Sequence, residues 1–159
     1  MQERISAHIS YLEATRSEIA KRKGWSNDPN QYQLIRIKLL AENVFEPIRK
    51  HFGLPIFIWS MFRTKQVNEA SGGAKNSQHM ANNAAAIDID AQVFGVLTNK
   101  RIFDYIRKNI EFDQLIGEGI TEDGDYDWIH ISFNEGKNRK QILVMVLVDG
   151  KPTYQKFKE

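Results

Sequence analysis

Six apolar residues, Leu34, Ile37, Ala41, Val44, Ile48 and Phe52, recur at steps of three and four and stop at Gly53. That period commits about five turns of chain to an amphipathic helix with one buried face. Such a helix needs an apolar partner surface, and the chain beyond Gly53 supplies it as short strands. LPIFIWS (54–60) and AAAIDID (84–90) read as strands, as do FDQLIGE (112–118), DWIHISF (127–133) and RKQILVMVLV (139–148). Asp149-Gly150 is a hairpin signal before KPTYQKF. A shorter helix is expected over 11–23, ending before Gly24. Another spans 99–109 and presents Ile102, Tyr105 and Ile106. Helices first, then mostly sequential strands joined by tight turns, predict an α+β fold: N-terminal helices on a central, mostly antiparallel sheet. The 159 residues fit one domain, 1–159, with no linker, repeat or low-complexity tract.

The charge balance narrows the partners. With 22 basic and 20 acidic residues, the formal net charge is +2 and no Lys/Arg stripe appears. No nucleic-acid partner is therefore expected. No segment approaches the ~18 apolar residues of a membrane span, so no membrane partner is expected either. The N-terminal segment, with charges scattered through it, lacks the apolar centre of a secretory signal. Cytoplasmic synthesis is the expectation.

Cysteine is absent. Thiolate nucleophiles and Cys-ligated zinc are excluded, which leaves His, Asp and Glu as metal donors. Of four histidines, His51 sits in the last turn of the long helix, where a cation mildly stabilises the helix end. His8 has no evident partner. His79 and His130 each lie near carboxylates: Asp88 and Asp90 come after the first, and Asp127 precedes the second by three residues. Two imidazoles and one carboxylate make a zinc site with one position left for water, and a further carboxylate is needed to move protons. By itself that inventory arises by chance in many domains. Strand period puts Asp88 and Asp90 on one face, and Trp128, His130 and Ser132 on one face. Asp127 falls on the opposite side unless the strand bends there. The polar stretch 65–83 reads as a long irregular loop, where functional groups often sit.

The combination of motifs is more telling than any one of them. Ser60-Met61-Phe62-Arg63-Thr64, Ser77-Gln78-His79 and Asp127-Trp128-Ile129-His130 resemble the signatures of the zinc D-Ala-D-Ala carboxypeptidase and L-alanyl-D-glutamate endopeptidase family. Val67-Asn68, Gly72-Gly73-Ala74 and WIHISF add to the likeness, which runs nearly the whole chain. The resemblance implies a hedgehog/DD-peptidase-like fold and one zinc ion held by His79, Asp88 and His130. It makes Asp127 the general base and then acid, and gives Arg63 the developing oxyanion or the substrate. Ser77, Gln78 and Trp128 would support the site or touch the substrate. The substrate implied is a peptidoglycan peptide, cut as by a metallopeptidase or a phage-type endolysin released at lysis.

Two departures stand out. The family aspartate comes seven residues after the first histidine, where this chain has Ala86; Asp88 lies at plus nine, as if two residues were inserted in MANNA. Asp90 is an alternative ligand, and a glycine-like turn is expected at Asn82 or Asn83. Met61 replaces a common glycine. The altered spacing keeps open a different kind of protein, a non-catalytic wall-binding or phage structural module that retains the fold.

Overall fold

A computed structural model describes residues 3–159; the first two residues of the charged N-terminal segment lie outside it. The expected α+β architecture is present, with a six-stranded mixed sheet under helices, as in DD-peptidases. The strands are β1 (Phe57–Ser60), β2 (Ala85–Asp90), β3 (Gln114–Ile120), β4 (Tyr126–Phe133), β5 (Gln141–Val148) and β6 (Lys151–Lys156), ordered β1-β2-β4-β3-β5-β6. Every pairing is antiparallel except β3 with β5, which is parallel. Both edges of β4 are taken, by β2 and β3, so the next strand must use the free edge of β3. Residues 134–140 step past the start of β3, and β5 then runs alongside it. Asp113 pins this crossing: its backbone bonds Ser132 and Gln141, and its carboxylate accepts from the backbone and guanidinium of Arg139.

The long N-terminal helix is α3 (Gln31–Leu40) continued by α4 (Glu46–Phe52), with a π-helical stretch, Ala41–Phe45, between them. The sequence pattern predicts one regular helix. Pro47 accounts for the difference, since it has no N–H for the carbonyl four residues back and crowds it, so the backbone widens ahead of it. The buried stripe nevertheless stays in phase, with Ile37, Ala41, Val44 and Ile48 all at 1% exposure or less. The expected 11–23 helix is two, α1 (Tyr11–Thr15) and α2 (Glu18–Lys23). Ser17 interrupts them: its extended backbone lets its hydroxyl cap Ala20 N–H. A further helix, α5 (Lys65–Ala70), lies in the stretch expected to be irregular, started by a Thr64 cap on Val67 N–H. The last helix, α6 (Asn99–Asn109), has the expected bounds.

The helices and one sheet face enclose one apolar core. Ile87 and Ile89 of β2, Ile129 and Ile131 of β4, and Ile102, Phe103 and Ile106 of α6 are fully buried in it. Alternation then sends Asp88 and His130 to the other face. Among the described residues, no helix is long and apolar enough to cross a membrane.

Candidate metal centre

Asp88 and His130 are direct register partners on β2 and β4. Cross-strand partners hold their Cβ atoms ~4.5–5.5 Å apart, so the sheet itself sets this pair. His130 Nδ1 lies 2.9 Å from Asp88 Oδ1. His79 arrives from a 3₁₀ turn, Gln78–Met80, and its Nε2 lies 3.3 Å from Asp88 Oδ2. One donor atom from each of the three falls within 4.8 Å of the others, and among the described residues this is the one such cluster. A tetrahedral ion ~2.0–2.2 Å from each donor sets donors roughly 3.4 Å apart. The three side chains therefore fit zinc in both chemistry and spacing.

The backbone fixes which atom the His79 ring presents. His79 Nδ1 lies 2.9 Å from the Met61 carbonyl oxygen. A carbonyl can only accept, so Nδ1 carries a proton, and Nε2, on the Asp88 side, is the nitrogen that can give its lone pair to a metal. The Arg63 N–H bonds the His79 carbonyl at 3.0 Å, tying the turn to the end of β1. Ser77 Oγ accepts from His79 N–H, and Gln78 donates to Asp113 at 2.7 Å, so the histidine turn is moored to the strand crossing. The left-handed residue falls on Ala81, at φ 54°, rather than on Asn82 or Asn83. It ends the 3₁₀ turn, where a left-handed cap closes the last helical hydrogen bond. The two extra residues of this segment are absorbed before β2, and Asp88 still meets both histidines.

The electrostatics match a buried ion-binding cluster. Burial pushes the Asp88 carboxyl up, but the charge of His79 and the hydrogen bonds from both histidines outweigh it and hold it well below the usual carboxylate range. Burial lowers the Arg63 guanidinium, against the pull of Asp88. Arg63 lines the cleft and donates to Ser71 at 3.0 Å, while its buried Nε has no partner.

The other expected residues divide. Trp128 lines the cleft beside the cluster. Asp90 does not face the cluster: its carboxylate accepts from Trp59, Gln92 N–H and Asn99 at the head of α6. On β4, Tyr126 packs against Phe103 of α6 and Ile129 is again in the core, so the alternation slips at Asp127-Trp128. Opposite lies Gly119 at φ 68°, and a Cβ there would sit 2.2 Å from Asp127 Oδ2. Asp127 is exposed and does not line the cleft. His8 is paired with Glu46 at 2.7 Å, and His51 stacks on Tyr105 with ring centroids 3.9 Å apart.

Two cleft residues went unassigned in the sequence. Glu118 of β3 is buried at 6% exposure, and Tyr154 of β6 reaches it. Burial raises the Glu118 carboxyl, with His130 pulling it down and Asp88 pushing it up. Burial and the Glu118 charge raise the Tyr154 phenol to about 12. A carboxylate between Gly117 and Gly119 in an otherwise apolar strand was the available signal.

A cleft with two imidazoles, a carboxylate and a half-buried arginine on a mixed sheet has the donor set that a metal-dependent hydrolase requires. Residues 7–132 match the peptidase M15 family, and the chain belongs to it. That family consists of zinc-dependent, D-Ala-D-Ala carboxypeptidase-like peptidases, so the chain is a metallopeptidase by descent. Among curated proteins, none matches the sequence.

Proposed function

We propose that this chain is a zinc peptidase that hydrolyses bonds next to D-amino acids in peptidoglycan stem peptides or their cross-links. The convergence of His79, Asp88 and His130 in a member of the M15 family carries the reading. In it, these three residues hold one zinc and leave one position open. The bound ion would acidify water and polarise the scissile carbonyl.

The rest of the chemistry belongs to the chain. Met61 holds the His79 ring by its carbonyl, and Ser77 and Gln78 hold the turn that carries it. Arg63, half-desolvated beside Asp88, places a positive charge where negative charge develops on the carbonyl oxygen. Trp128 gives the peptide an apolar wall. A carboxylate off the metal must also take a proton from water. The family motif offers Asp127 for this, an exposed residue of β4.

The test is digestion of purified peptidoglycan with and without a chelator, with product masses assigning the bond. Zinc-dependent release of peptides cut beside a D-residue is expected. A protein that holds zinc, binds the wall and releases nothing would instead be a binding module.

A further inference from the structure

Glu118 is a buried carboxylate that the ligand set does not use. It pairs in register with Trp128, while its neighbour-but-one, Ile116, pairs with His130. Period two turns Glu118 to the face that carries His130, on the adjoining strand. It stands diagonal to that histidine, and diagonal Cα atoms lie ~7–8 Å apart, within reach of long side chains. It lines the same cleft as Asp88 and His130. Both its oxygens lie near the Tyr154 hydroxyl, at 3.4 and 3.3 Å. Among the described residues no cation forms a salt bridge with it, although burying a carboxylate without one is costly.

Resting on the peptidase reading, we propose that Glu118, steadied by Tyr154, is the carboxylate that moves the proton in hydrolysis. The water oxygen bonds to the scissile carbonyl carbon, and its proton passes to a Glu118 carboxylate oxygen. The C–N bond then breaks, and Glu118 returns that proton to the leaving nitrogen. One water is consumed, giving an acid and an amine. The Tyr154 hydroxyl donates to the carboxylate and lines the same cleft; Tyr154 is a positioning residue. Asp127, three residues from His130, lies outside the cleft with its carboxylate against Gly119.

The experiment compares the full-length wild type with Glu118→Gln, Asp127→Asn and Tyr154→Phe, all zinc-loaded. Each is assayed for zinc content, for binding of a purified stem peptide and for peptidoglycan hydrolysis. Glu118→Gln is expected to keep its zinc and its peptide affinity while turnover falls ~10²–10⁴-fold. Asp127→Asn should show the smaller loss of the two. Tyr154→Phe should lower kcat by about tenfold with KM unchanged, which a merely structural role would not do. Wild-type turnover in Glu118→Gln, loss of its zinc, or a larger loss in Asp127→Asn overturns the assignment. A wild type that holds zinc but cleaves no wall peptide overturns the peptidase reading and this one with it.

Discussion

The two faces of β2 and β4 are made of adjacent residues, yet they differ in almost everything. Ile87, Ile89, Ile129 and Ile131 point one way and are fully buried beneath the helices. Asp88 and His130 point the other way, into the cleft. The apolar face fixes the register, because a slip of one residue would exchange isoleucines for ligands. The polar face inherits that register, so Asp88 and His130 are placed by packing they take no part in. A metal site on such strands is held more firmly than one on loops.

The largest expected effect lies on the polar face. His79→Ala or His130→Ala removes a donor and should abolish both zinc binding and wall hydrolysis, read by metal analysis and product release. Full activity in either variant would refute the ligand set. Asp88→Asn should weaken zinc binding by more than roughly tenfold, whereas Asp90→Asn should leave it near wild type. Asp90 shares the strand face but is occupied by Trp59, Gln92 and Asn99, and the reverse order would reassign the third ligand.

On the apolar face the expected loss is stability. Ile129→Ala should lower the unfolding free energy by about 3 kcal/mol, while the folded fraction keeps its zinc. If folded Ile129→Ala protein lost the metal, the two faces would not be separable.

The division also explains what the sequence made legible. The apolar periods of 34–52 and 99–109 and the alternating strands are local signals, and they locate most elements. Asp88 and His130 could be named because strand period and family wording agree on them, and His79 by the family wording alone. Glu118 could not, because its place depends on β3 lying beside β4. Tyr154 depends on a still longer chain of contacts, since β6 reaches the cleft only through the parallel pairing of β5 with β3. Helix α5 was hidden because a cap, rather than an apolar stripe, starts it.

Asp113 links the crossing to the histidine turn, and its effect should be intermediate. Burial pushes its carboxyl up, but hydrogen bonds from Arg139 and Gln78 outweigh it and hold it below the ordinary range. A depressed folded pKa means the stabilisation is complete above the unfolded value of ~3.9 and is lost as pH falls through the folded one. Asp113→Asn should therefore cost on the order of 2 kcal/mol at neutral pH. The gap from wild type should narrow in acid unfolding measurements, and an equal gap at both ends would contradict this electrostatic origin.

The smallest effect separates the far hairpin from the site. Asp149 and Gly150 both have positive φ, 51° and 73°, as a two-residue turn between twisted strands requires. A Cβ at Gly150 would meet nothing within 4 Å, so Gly150→Ala adds backbone strain and no clash. It should lower stability by about 1 kcal/mol in denaturant unfolding, with zinc content unchanged. Because the same hairpin delivers Tyr154, hydrolysis offers a sharper reading than stability. Turnover falling while the protein stays folded and metal-loaded would mean that the placement of β6, and not the ligand face alone, sets the rate.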